Sequence, residues 1–130
     1  MAVDEARDPP ENPDDLLPED AVLDLEDYLD MHAAIGQPIR YRILYRLVHV
    51  GEATPTELER EIDVTDSNLH YHLNELLDVG LVEKRASTER GSDGTTVYYR
   101  PTVFGNVTLT DGVDELIRGE GTFEELYRDE

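Results

Sequence analysis

The apolar residues of this chain keep a helical spacing as far as Leu77 and then, past Gly80, begin to alternate. A period near 3.6 that changes once to a period of 2 restricts the fold to a run of helices followed by paired strands. Val22, Leu25, Leu29 and Ala33 recur at three and four residues, the stripe of a first helix from about Pro18 to Ala34. Pro18 suits its first position, and Glu19 and Asp20 suit its positive end. Gly36 breaks the pattern. A second helix from about Pro38 to His49 has Ile39, Ile43, Leu44, Leu47 and Val48 on its core face, and Gly51 ends it. Thr54 and Glu57 form a capping box with Pro55 in the first turn, so a short third helix starts there and turns Leu58 and Ile62 inward. The turn Asp63-Val64 leads to a second cap, Thr65. A fourth helix, about 66–79, carries Leu69, Leu73, Leu76 and Leu77 inward and stops at Gly80.

Leu81 to Ser87 then reads as a strand and residues 89–94 as a turn or mobile loop. Thr95 to Arg100, rich in β-branched and aromatic residues, completes a hairpin closed by Pro101. One of Tyr98 and Tyr99, which alternate across the strand, is expected in the core. Val103, Val107, Val113, Leu116 and Ile117 fit a helical face capped by Thr102. Gly105, Asn106, Thr108 and Gly112 oppose that helix and leave a short strand at 106–109 as the alternative. Phe123, Leu126 and Tyr127 suggest a last apolar turn.

The expected fold class is mainly α with a small β-hairpin, flanked by N- and C-terminal dimerisation helices. Residues 1–18, with four of the seven prolines among acids, read as a disordered acidic tail. Residues 19–130 read as one domain: an N-terminal helix (19–35), a core (36–101) and a C-terminal helical region (102–130). At 130 residues the chain can bury about two-thirds of its unfolded surface without staples. Cysteine is absent, which excludes disulfides, thiolate metal sites and cysteine nucleophiles. No apolar run reaches roughly 18 residues and no signal pattern opens the chain, so the expected location is cytoplasmic, with no membrane partner. No phosphate loop, nucleophile elbow or paired acid and base is present, which argues against an enzyme.

Acids number 31 against 11 bases, for a net charge of −20. Residues 1–35 hold twelve acids and one arginine, residues 36–101 eleven acids and eight bases, and residues 102–130 eight acids and two bases. The middle segment, at −3, is nearly neutral on a strongly acidic molecule, so it is where a polyanion would be met. Such acidity beside 38% hydrophobic residues fits a proteome adapted to molar salt, where self-repulsion is screened within about 3 Å.

The order helix, short helix, tight turn, helix, hairpin is informative about function. A helix-turn-helix lays its second helix in the major groove, and a hairpin behind it reaches the neighbouring backbone. With the leucines of the fourth helix turned inward, its other face carries Asp66, Ser67, Asn68, His70, Tyr71 and Asn74. These are mostly short hydrogen-bonding side chains near a helix N-terminus, suited to base edges or phosphate.

Here the sequence resembles the ArsR-type winged helix-turn-helix regulators. GQPIRYRILYRL at 36–47 is similar to the family's opening helix, TPTELEREIDVTDSNLHYHLNELLDVGLVEKR at 54–85 to its helix-turn-helix, and VYYRPT at 97–102 to its returning wing strand. The likeness implies a homodimeric regulator of transcription, of a halophilic archaeal type given the acidity, with double-stranded DNA and a second copy of the chain as partners. Ser67, Asn68, His70 and Tyr71 match the family's DNA-contacting positions and His72 its recurring histidine. Thr65 and Asn74 are added as contacts, and Arg42, Arg46, Lys84, Arg85, Arg90 and Arg100 as cations for the backbone. For Arg42 and Arg46 the alternative is pairing with the chain's own acids. The dimer interface expected by resemblance comprises Val22, Leu25, Leu29, Val107, Val113, Leu116 and Ile117.

Many relatives sense metals through cysteines, and this chain has none. Others use histidines and acids of the last helix, where this chain has Asp111, Asp114 and Glu115 but no histidine. His70 and His72 point about 200° apart on a helix and do not form a metal face. His72 is expected to be a packing histidine and His70 an exposed one. His32 and His49 read as ordinary surface or interface residues, and Asp14-Asp15 and Glu26-Asp27 as solvated surface. No metal or cofactor is expected, and a small-molecule effector is not legible. The competing reading is a winged helix used for protein–protein interaction without DNA readout. At molar salt the counterion-release gain of DNA binding nearly vanishes, and so does long-range repulsion, so DNA binding should show a shallow or even inverted salt dependence.

Overall fold

The computed structural model describes residues 9–88 and 95–122. Pro13–Leu16 form a 3-10 turn capped by the Asn12 side chain. The helices are α1 (Leu25–Ile35), α2 (Pro38–Val50), α3 (Pro55–Glu61) and α4 (Asp66–Asp78). The strands β1 (Val82–Ser87) and β2 (Thr96–Pro101) follow, and then α5 (Val103–Thr108) and α6 (Asp114–Arg118).

Helix α1 begins seven residues later than Pro18. Asp24 caps it in a complete box: its carboxylate accepts from the Asp27 backbone, and the Asp27 carboxylate accepts from the Asp24 backbone, both at 2.9 Å. Two aspartates that satisfy each other's backbone amides outweigh a proline at a first helical position. Val22 therefore precedes the helix and is 96% exposed, and Leu29 is exposed too. The face of α1 turned to the core carries Met31, Ala34 and Ile35.

The boundaries of α2 and α4 and the start of α3 agree with the reading to within one residue. Gln37 caps α2, Thr54 and Glu57 form the capping box of α3, and Thr65 caps α4. Gly51 and Gly80 stop α2 and α4 with φ of 96° and 84°, left-handed backbone that a side chain resists. Ile43, Leu44 and Leu47 of α2, Leu58 of α3 and Leu69, Leu73 and Leu76 of α4 are fully buried and form one cluster with Leu81 and Leu109.

The strands pair antiparallel, Val82 with Pro101 through Ser87 with Thr96. Ala53, in the α2–α3 connection, adds a third short rung: its N–H donates to the Tyr99 carbonyl at 3.0 Å and its carbonyl accepts from Tyr99 at 2.8 Å. Tyr99 is the buried member of the tyrosine pair, 2% exposed, so the hairpin root is held by hydrogen bonds and packing together. Residues 106–109 are not a strand. Thr102 caps α5 by accepting from Gly105 N–H, and a π-helical stretch, Leu109–Val113, joins α5 to α6. Residues 89–94 and the apolar turn expected at Phe123, Leu126 and Tyr127 lie outside the described residues.

Candidate nucleic-acid interface

Helix α4 packs on α1, α2 and α3 and on β1. With its leucines fixed by that packing, Ser67, Asn68, Tyr71 and Asn74 are exposed and His70 is partly exposed, so one ridge runs along the outer face of the helix. Thr65 stands at its head, its hydroxyl accepting from the Asn68 N–H at 3.3 Å.

His70 and His72 differ in the work their rings do. His70 Nδ1 lies 3.0 Å from the Asp66 carbonyl oxygen and 3.3 Å from its carboxylate. A carbonyl only accepts, so Nδ1 carries the proton and Nε2 is left as an acceptor in the neutral ring. His72 is buried, 7% exposed, and its Nδ1 lies 3.2 Å from Arg40 NH1. Here the guanidinium only donates, so Nδ1 accepts and the proton sits on Nε2. Burial first, and then the Arg40 charge, hold this imidazole below its ordinary pKa, while Glu75 acts against them.

Glu59, on α3, hydrogen-bonds to the Asp66 side chain at the head of α4. That bond first, then burial and the Asp66 charge, raises the Glu59 pKa, and His70 opposes the shift. The sequence reading singled out neither this pair nor Arg40, because both depend on how α3 and α2 approach α4. The available signal was the phase of His72, which falls in step with Leu69, Leu73 and Leu76.

The basic residues are dispersed. Arg42 is exposed on α2. Arg46 lies 3.6 Å from Glu61 of α3. In the hairpin, Arg100 Nε donates to Glu83 at 2.9 Å, and Arg85 lies 3.4 Å from the same carboxylate. The register places Glu83, Arg85 and Arg100 on one side of the ribbon and Lys84, opposite Tyr99, on the other. Arg90 lies outside the described residues.

The expected dimer residues divide in the same way. Val22, Leu29, Val107, Leu116 and Ile117 are exposed, whereas Leu25 is half-buried and Val113 packs partly on the core. Val103 and Phe104 add to the exposed apolar surface of α5, and the Phe104 ring meets Tyr28 of α1 edge-on at 6.3 Å. Among the described residues no group of three or more His, Asp or Glu is placed to hold a metal ion, and no helix is long and apolar enough to cross a membrane.

Three helices ending in an exposed polar helix, with a hairpin rooted in the same core, make this chain a winged helix-turn-helix protein. Residues 35–85 match the family described as a helix-turn-helix domain. The chain is 33% identical over 75 residues to the arsenical resistance operon repressor of Bacillus subtilis (strain 168), a match that spans 58% of this chain and 66% of that protein. Among solved structures it resembles a transcriptional regulator homologue from Pyrococcus horikoshii OT3, with TM-score 0.60 and 21% identity over 79% of this chain and 99% of that one. It also resembles a regulator assigned to the MarR family from Enterococcus faecalis V583, with TM-score 0.62 and 22% identity over 87% of this chain and all of that one. At those identities the two structures speak for the fold, and the sequence match is a likeness over part of each chain.

Proposed function

We propose that this protein is a sequence-specific, DNA-binding transcription regulator, not an enzyme, that works as a homodimer in the cytoplasm of a salt-adapted cell. Helix α4 enters the major groove, and the hairpin rests on the flanking backbone. The observation that carries the reading is the ridge Ser67, Asn68, His70, Tyr71, Asn74, held outward by three leucines that are fully buried. Asn, Ser and His side chains are donors and acceptors of the kind that base edges call for. The named relative represses an operon, and the same role suits this chain. A tail ahead of residue 19 and one domain after it remain the organisation we assign. The exposed apolar residues of α1, α5 and α6 support pairing of two copies, which must set two α4 ridges about 34 Å apart to reach successive grooves. With no cysteine, this chain does not take arsenite through thiolates as an effector.

The test replaces Asn68, His70 and Tyr71 together by alanine. All three reach solvent, so the variant should fold. Its affinity for a duplex selected by the wild-type protein from random DNA in molar potassium chloride should fall by at least about 100-fold, since each base contact is worth roughly 1–3 kcal/mol. Equal binding by the folded variant removes the reading.

The pairing of Arg46 with Glu61, and of Arg85 and Arg100 with Glu83, favours a second reading, a winged helix that binds protein and not DNA. If so, selection from random DNA returns no enriched sequence.

A further inference from the structure

We propose that Arg40 is a positioning residue that ties the recognition helix α4 to the C-terminal end of α1 through neutral His72, and that a proton on His72 opens this tie. The guanidinium bridges two elements that are far apart in sequence. Its Nε donates to the Ala34 carbonyl at 2.7 Å, in the last turn of α1, and its NH1 donates to His72 Nδ1 at 3.2 Å, in the middle of α4. The Ala34 carbonyl belongs to the last turn of its helix, where such oxygens have no partner within the helix, and His72 is buried, so both acceptors need a donor. One planar fork supplies both, a geometry that a lysine does not reproduce. Helix α1 borders the exposed apolar surface and α4 carries the polar ridge, so this contact joins the surface that pairs copies to the surface that reads DNA.

A proton added to Nδ1 replaces the acceptor with a donor facing a guanidinium, and two like charges then meet in a buried place. The charged groups set against His72 are Arg40 from α2 and Glu75 from α4 itself, and the Tyr71 ring contacts it edge-on at 5.0 Å. Because the folded-state pKa lies below the unfolded one, the unfolded chain takes up the proton first. The tie is complete above about pH 6.5, the ordinary histidine value, and is lost as pH falls through the lower value that His72 takes in the folded chain.

The consequence for DNA rests on the regulator reading, but the tie itself does not, so the experiment has two arms. In the first, nitrogen-15 spectra of the full chain should show His72 protonated on Nε2 and His70 on Nδ1. Amide protection in residues 66–78, the intrinsic exchange rate at each pH divided by the observed one, should fall about tenfold between pH 7.5 and 5, the equivalent of one lost charged hydrogen bond. Arg40→Met and Arg40→Lys should show the lower protection already at pH 7.5. His72→Gln, whose amide oxygen accepts but does not titrate, should keep the higher protection at both. A His72 protonated on Nδ1, or a His72→Gln chain as pH-sensitive as wild type, overturns the proposal. In the second arm, binding of the selected duplex should weaken with acid in wild type and not in His72→Gln. If both weaken alike while the first arm stands, the tie does not position the helix for DNA and that part of the proposal falls. If wild type selects no duplex, the regulator reading fails and the first arm still decides the tie.

Discussion

Gly105→Ala is expected to destabilise the protein by about 3 kcal/mol, even though alanine is the better helix former. Gly105 lies in α5, where propensity alone favours alanine by about 1 kcal/mol. A Cβ at this position, however, would come within 2.2 Å of the Leu81 carbonyl oxygen and 3.2 Å of Leu44 Cδ1. The oxygen cannot move aside, because it accepts from Thr102 N–H at 3.0 Å, and the Thr102 hydroxyl donates to the Gly80 carbonyl at 2.6 Å. Helix α5 must therefore lift from the start of β1, opening the core along Leu44 and Leu81, and overpacking of this kind costs roughly 1–3 kcal/mol beyond the forgone propensity. Urea unfolding in molar potassium chloride reads the change. A stabilised alanine variant would mean that α5 does not rest on Leu81.

The second large effect is expected from Leu73→Ala, a loss of about 3 kcal/mol in the same measurement. Leu73 is fully buried between Leu69 and Leu76, and α4 lies against three other helices. Truncation leaves a void that those helices are too constrained to close. The half-buried Leu77, one turn further on, should cost less than half as much when truncated, because water already reaches it. Similar losses at the two positions would place the core seam of α4 elsewhere.

The helical order and its caps were legible in the sequence because each rests on local chemistry. Thr54 with Glu57, Thr65, and the glycines after α2 and α4 act within four residues of themselves. The start of α1 was misplaced for a related reason: two local signals competed, and a proline is easier to read than an aspartate whose partner is another aspartate. Helix α5 was ambiguous because Gly105 lowers helix propensity, whereas its purpose is a close approach to Leu81 that only the folded molecule reveals. The polar ridge was readable from the phase of the leucines. The partners of the basic residues were not. Arg46 meets Glu61 and Arg100 meets Glu83 only because α2 lies beside α3 and β2 beside β1. The same holds for Arg40, whose two acceptors stand 38 residues apart.

The carboxylate of Glu83, shared by Arg85 and Arg100, changes what a phosphate group would do at the hairpin. A bare arginine meeting DNA sheds bulk anions and frees the duplex's condensed cations, and dilution drives the reaction forward. These two arginines already hold their anion as part of the fold, so a phosphate would have to evict it, and the evicted carboxylate would then draw a potassium ion from the medium. Contact at the hairpin thus becomes a swap of partners in which the cation freed from the phosphate is taken up by the carboxylate, so the salt dependence of this contact flattens. A nearly salt-independent complex in wild type, turning salt-weakened in Glu83→Gln, is the expected signature.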